Sequence, residues 1–287
     1  MAVSTTTASE LTREQVAQIL TQPLEARSVF LAAGPRVFDT DGSPVRVPAA
    51  PSSVAENLEW VGENTQIPEA DPDFDETTLL PSTMQSVKVI TRYSNELARQ
   101  SVVALDAALQ DRLVTDVAAK IDSQLLSNSG DGTETPRGMF TYAGQTHAVG
   151  GPLTIDDVLT AQGLALAANV DQTRLRLVLR PADFMALRAQ TDNDGRYMLQ
   201  PDAAASAAFT VLGVPVSVSP RIPAGFGALV DMSQIAVARD VAPSVKILTE
   251  RYADYDQQAI RVVARYDAAP INAEGIVAFT GITDPAE

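Results

Sequence analysis

The sequence predicts an α+β fold with one long helix and a long acidic excursion. Three observations carry that prediction. Between residues 94 and 127, apolar residues recur every three or four positions, the period of a helix face. From Leu153 onward, helical and strand-type runs alternate. Before residue 94 the chain is rich in Pro and acid, and it lacks the apolar periodicity of a self-standing core.

Taken in order, residues 1–55 read as an arm. Thr12 to Leu20 predicts a short amphipathic helix, with Thr12 as N-cap, Gln15 at the capping-box position and Val16, Ile19 and Leu20 on one face before Pro23. Pro35, Pro44, Pro48 and Pro51, around alternating Val45 and Val47, predict an extended or polyproline path from Gly34 to Pro51. Residues 56–87 hold eight acids (Glu56, Glu59, Glu63, Glu69, Asp71, Asp73, Asp75 and Glu76) and no Lys or Arg. Trp60, Ile67, Phe74, Leu79 and Leu80 lie among them, so the stretch is either a solvated loop or a long two-stranded hairpin projecting toward another subunit. Its buried-type residues favour the hairpin.

The helical stripe is Val102, Leu105, Leu109, Leu113, Val117, Ile121 and Leu125, with Asp106, Gln110, Asp116 and Lys120 on other faces. Such a helix would run roughly 45–50 Å. Asn128, Gly130 and Gly132 end it in a loop. Thr154 with Asp157 predicts a capped helix to about Ala168, Leu175 to Leu179 a strand, and Pro181 the first turn of a helix toward Ala189. Val211 to Val218, Ile235 to Ala238 and Val245 to Thr249 read as strands, and Ile260, Val262, Ala264 and Tyr266 alternate with Arg261, Val263 and Arg265.

Composition narrows the function. With 287 residues and 45% apolar content, one large or two medium cores are possible. The longest apolar runs, such as Ile276 to Phe279, fall far short of the ~20 residues a bilayer span needs. Met1 to Glu10 lacks the basic start and apolar stretch of a secretory signal, so the chain is expected to stay in the cytoplasm where it is made. Cys is absent, which removes disulfides, thiolate metal sites and Cys nucleophiles. His147 is the sole His, so no multi-histidine metal site can form in one chain. A net charge of −15 is the wrong sign for gripping phosphates, yet it suits a wall that encloses nucleic acid and repels it.

Motifs with chemical content are sparse. Asp39-Thr40-Asp41-Gly42 differs from an aspartic-protease loop by the interrupting Asp41, and no second copy supplies the partner carboxylate. Asp192 to Gly195 begins like a calcium loop, but Arg196, Tyr197 and Met198 follow, so an Asx turn is expected. The glycines of Gly130 to Gly138 lack the Lys-Ser/Thr ending of a phosphate loop. His147 is expected in a loop, as a surface or subunit contact, and Trp60 as an anchor at a packing contact. No cofactor and no metal are expected.

Five stretches, in order, resemble the major capsid protein family of tailed bacteriophages, with its Hong Kong 97 fold. Trp60-Val61-Gly62-Glu63 with Ile67-Pro68-Glu69 and Phe74 is similar to the start of the family's extended loop. Ser94-Asn95-Glu96-Leu97 resembles the beginning of its spine helix, and Asp131-Gly132-Thr133 through Pro136-Arg137-Gly138-Met139 the segment that follows. Asp194-Gly195-Arg196-Tyr197 and Leu212-Gly213-Val214-Pro215-Val216 resemble its axial domain.

The resemblance, over roughly 55–283, implies an N-terminal arm at 1–55 and the extended loop and its base at 56–93. It places the peripheral domain's spine helix and following loop at 94–151, the axial domain at 152–240, peripheral strands at 241–269 and a C-terminal axial segment at 270–287. It implies self-assembly into hexamers and pentamers that close an icosahedral shell around double-stranded DNA, in the virion, after assembly in the host cytoplasm. It implies a portal protein and, because the chain has no room for a scaffolding region of about a hundred residues before Trp60, a separate scaffold protein or prior proteolysis; a decoration protein is a further possible partner. No membrane partner is implied. Subunit-contact candidates are Trp60, Ile67, Phe74, Asp71, Asp73 and Asp75, facing Arg174, Arg176, Arg188, Arg261 and Arg265 of a neighbour. Some relatives weld the extended loop through a Lys, whereas residues 56–87 here contain none, so non-covalent shell contacts are expected. The rival readings are an encapsulin-type compartment around a cargo enzyme and, from another class, an acidic soluble hydrolase.

Overall fold

The computed structural model describes residues 27–48, 60–67, 76–96, 105–192, 194–199, 209–240 and 244–283. A short helix α1 (Val29–Ala32) leads into strands β1 (Arg36–Thr40) and β2 (Val45–Pro48). The extended path predicted for 34–51 is therefore two strands in different sheets, because residues 41–43 bend the chain between them. Strand β3 (Glu76–Leu79) pairs antiparallel with β2, Val45 opposite Leu79 and Pro48 opposite Glu76. The described end of the acidic excursion thus pairs with the arm. The rest of the predicted hairpin beyond residues 60–67, and the helix predicted over 12–20, lie outside the described residues.

Strand β4 (Val87–Ser94) precedes helix α2 (Leu105–Leu125). At 21 residues, α2 spans about 31 Å. The predicted stripe is the buried face: Leu113, Val117, Ile121 and Leu125 are buried, and Leu109 packs against the same cluster.

Strand β5 (Gln145–Ala148) and helix α3 (Ile155–Ala167) follow. His147 therefore sits in a strand and not in the expected loop, paired with Phe279. The predicted cap of α3 forms as a reciprocal box: the Asp157 amide donates to Thr154 Oγ1, and the Thr154 amide donates to Asp157 Oδ2 at 2.9 Å.

Strand β6 (Leu175–Leu179) and helix α4 (Pro181–Arg188) match their predictions. The single strand predicted over Val211 to Val218 is a hairpin, β7 (Thr210–Val211) and β8 (Val214–Val218). Leu212 and Gly213 take φ of +50 and +80, the left-handed pair of a tight primed turn. The chain ends in β9 (Phe226–Asp231), β10 (Ile235–Asp240), β11 (Ser244–Leu248), β12 (Gln257–Ala264), β13 (Tyr266–Pro270) and β14 (Ile276–Thr280). The predicted 260–266 alternation is split at Arg265, after which β13 joins a different sheet.

The six-stranded sheet runs β5-β14-β9-β6-β8-β7, beside two three-stranded sheets, β1-β10-β13 and β11-β12-β4, and the β2-β3 pair. Alternation sorts the central strands of the large sheet between two cores. Val178, Ala228, Val230, Ile276 and Ala278 join the cluster containing α2, while Leu177, Leu229, Val277 and Phe279 join the one containing α3 and α4. The inner face of β4 and β12, with Tyr93, Ile260, Val262 and Ala264, packs on the α2 side.

Candidate functional site

Two buried carboxylates, Asp122 and Asp267, hold the described residues next to the N-terminal and acidic segments. At the arm, Asp122 of α2 is only 4% exposed. It accepts from Ser28 Oγ at 2.5 Å and the Val29 amide at 2.8 Å, with the Phe30 amide at 3.3 Å. These are the orphan donors at the start of α1, so a residue 94 positions away completes that helix. Burial raises the Asp122 pKa, and the hydrogen bonds only partly oppose it. Arg27 adds a second strap, donating to the Asp111 carboxylate and, at 2.6 Å, to Thr115 Oγ1.

At the loop base, Asp267 is 3% exposed and accepts from the Leu80 and Ala268 amides, each at 2.9 Å. Burial again raises its pKa. Leu80 has φ +53, a conformation a Leu adopts only where its surroundings hold it. Arg265 Nη2 donates to Pro81 O at 2.6 Å beside it. Arg265 also has Asp240 at 3.6 Å as an ion-pair partner within the chain.

The other predicted contact residues are scattered. Trp60 is fully exposed and Ile67 three-quarters exposed, while Phe74, Asp71, Asp73 and Asp75 lie outside the described residues. Arg174 faces Asp171 at 3.5 Å, Arg176 donates to Ser217 Oγ at 3.1 Å, and Arg188 lies over the Phe184 ring. Arg261 is half-buried on β12, and its Nε atom is buried without a hydrogen-bond acceptor. The register of the β11-β12-β4 sheet brings it to one face with Lys88, Arg92 and Lys246, which the sequence reading did not group with it. Beside Lys88, a cleft of about 330 Å³ is also lined by Lys120, Gln124, Glu134 and Tyr266. Lys88 and Lys120 thus share this cleft, while Lys246 stands opposite Arg261 on β11.

The sequence matches the phage capsid family over residues 10–281. The chain belongs to that family. Among solved structures, it is similar to the capsid of a native GTA particle computed with C5 symmetry (TM-score 0.70, 18% identity, 89% of this chain and 90% of that one). It is equally similar to a chain of Mycobacterium phage Adephagia (TM-score 0.70, 18% identity, 90% and 91%) and to one of Microbacterium phage Oxtober96 (0.71, 16%, 88% and 90%). These likenesses show the fold, the mixed α+β architecture of Hong Kong 97-like capsids. Among curated proteins none matches the chain significantly.

As a phage capsid protein, the chain is a structural component of the virion shell and not an enzyme. The polar clusters of the capsid protein read accordingly. His147 Nε2 lies 2.8 Å from Asp157 Oδ1, joining β5 to the cap of α3. Burial pushes the Asp157 pKa up, but bonds from Thr154 and His147 outweigh it and hold it low. Asp131 accepts from the Thr135, Thr133 and Glu134 amides, which lowers its pKa and fixes the loop after α2. Asp192 makes the expected Asx turn, accepting from the Asp194 and Arg196 amides. Among the described residues no three acids or histidines group as a metal site, and no helix is long and apolar enough to cross a membrane.

Proposed function

We propose that the chain is the major shell subunit that assembles into hexamers and pentamers, closing an icosahedral head around double-stranded DNA in the host cytoplasm. The observation that carries this reading is the family membership, joined to a body whose arm and loop are anchored at their roots while Trp60 and Ile67 stand in solvent. Exposed large apolar residues on anchored excursions are what an interface between copies needs. In this reading 56–93 is the extended loop, 94–151 and 241–269 the peripheral domain, and 152–240 with 270–287 the axial domain. The contacts are made by Trp60, Ile67, Phe74 and the acids Asp71, Asp73 and Asp75. A separate scaffold, a portal and a decoration protein are the partners of different stages, and DNA is enclosed without sequence-specific contacts.

The test is negative-stain microscopy of the full chain, expressed alone and with its neighbouring gene products. Closed shells are the expected result, and a 30 kDa monomer under every condition would overturn the reading. The shell is held without covalent links, because Lys88, Lys120 and Lys246 are the only amines on side chains and none lies in residues 56–87. A denaturing gel of mature particles should therefore give one band, and a ladder would refute this.

A further inference from the structure

Asp39-Thr40-Asp41-Gly42, the stretch whose interrupting Asp41 excludes a protease loop, contains a pair with chemistry of its own. Where glycine follows aspartate, no side chain shields the glycine nitrogen, which can reach the carboxyl carbon of the preceding residue. The chain has three such pairs, Asp41-Gly42, Asp131-Gly132 and Asp194-Gly195. Their glycines all take positive φ, +85, +73 and +77, so each turn needs its glycine and keeps the pair together.

The fold restrains two of the three. The Asp131 carboxylate is engaged by the Thr133, Glu134 and Thr135 amides, and the Gly132 amide donates to Thr135 O at 2.9 Å. The Gly195 amide donates to Asp192 O at 3.0 Å, which holds its nitrogen inside the Asx turn. Asp41 and Gly42 differ. Both are exposed, and among the described residues the Asp41 carboxylate accepts no hydrogen bond and the Gly42 amide donates none. A Cβ placed on Gly42 would meet nothing within 4 Å. The bend is closed instead by Thr40 Oγ1, which donates to Ser43 O at 2.6 Å and leaves both reacting groups free.

We infer that Asp41 is a self-modifying residue, converting to isoaspartate through a succinimide formed with Gly42. The Gly42 nitrogen attacks the side-chain carboxyl carbon of Asp41, and a C–N bond closes a five-membered ring. The amide proton and the carboxyl hydroxyl leave together as water. Water then adds back and breaks the bond from that nitrogen to the main-chain carbonyl carbon of Asp41, so the backbone afterwards runs through the side chain. No oxidant, metal or second protein takes part, and neither mass nor charge changes overall. The product has one more carbon in the main chain between β1 and β2. Those strands belong to different sheets, β1 beside β10 and β2 beside β3, so the change falls on the joint between them and alters it as the protein ages.

The test keeps the full folded chain in water enriched in the heavy isotope of oxygen and follows its peptides over weeks by mass spectrometry. Each passage through the succinimide adds one heavy oxygen, and fragmentation locates it. Asp41 should take up label about fivefold faster than Asp131 or Asp194, because the other two glycine amides must first break a hydrogen bond. In denaturant the three pairs should react at similar rates. Similar rates in the folded chain, or a lead at Asp194, would overturn the inference. The same lead for Asp41 in denaturant would assign it to local sequence and overturn the structural argument. Asp41→Glu should abolish the label in the peptide from Val37 to Arg46, since the larger ring closes far more slowly, and label persisting there at Asp39 would sink the idea. Asp41→Asn should speed conversion at this position, because a neutral amide is attacked more readily than an ionised carboxylate. Equal or slower conversion would contradict ring closure by Gly42.

Discussion

The two larger sheets treat their faces differently. In the six-stranded sheet, strands β6, β9 and β14 are buried on both sides, α3 and α4 covering one and the α2 cluster the other. In the β11-β12-β4 sheet, α2 covers one side, and the opposite side carries Lys88, Arg92, Lys246 and Arg261 around a buried Ala259. The first region is complete within one chain. The second has an apolar half that folds the subunit and a charged half that folding does not use. A shell subunit needs both kinds of surface, because its stability as a chain and its affinity for copies must be set separately.

The largest effects should come from breaking the self-contained region. Leu229 and Phe279 are fully buried in the cluster under α3. Leu229→Ala and Phe279→Ala should each cost about 3–5 kcal/mol in denaturant unfolding of the unassembled chain. Lys88→Glu at an exposed position of β4 should change the same quantity by less than about 1 kcal/mol. If the two costs were alike, the contrast between the sheets would be lost.

Next in size is the arm latch. Asp122→Ala leaves the Ser28 hydroxyl and the Val29 and Phe30 amides without their acceptor, at a cost of about 2–3 kcal/mol. The sign of its pH dependence follows from burial. A carboxyl whose folded pKa is raised adds stability that is present at low pH and lost as pH rises through that raised value. Wild type should therefore gain on Asp122→Ala as pH falls from neutral toward the ordinary carboxylate range. Unfolding of both proteins at several pH values checks this, and a gap that narrows on acidification would contradict it.

Asp122 and Asp267 also mark where sequence reasoning stops. The stripe of α2 and the Thr154 box were legible because their determinants lie within three or four residues. Asp122 reads as one more polar helix position until the chain brings Ser28 back to it, and Leu80 meets Asp267 across 187 positions. His147 sits among residues typical of a loop, and only pairing with Phe279 makes it a strand residue. The strand Phe226–Asp231 was missed, since a short apolar run containing Gly and Ala is poor in the β-branched residues that signal a strand. Lys88, Lys246 and Arg261 become neighbours only through register.

A smaller effect tests a local device within the complete region. Thr154→Ala removes the acceptor for the Asp157 amide and loosens the His147–Asp157 contact, and should cost about 1 kcal/mol in chain unfolding with shells still forming. Failure of assembly at this small cost would mean that the α3 end takes part in contacts between copies.

The smallest effect on the chain should fall on Trp60, and its smallness is informative. A fully exposed side chain loses no burial when truncated, so Trp60→Ala should shift unfolding of the unassembled chain by less than about 0.5 kcal/mol. In a shell the same indole would be buried against a neighbour, where aromatic anchors commonly cost about 2 kcal/mol or more when removed. The two measurements therefore diverge for Trp60, coincide for Leu229, and lie between for Asp122. Hydrogen exchange over 60–67 gives the independent check, since protection should rise on assembly. Equal exchange in monomer and shell, or a large loss of chain stability on truncation, would place Trp60 in an intrachain contact and remove it from the assembly surface.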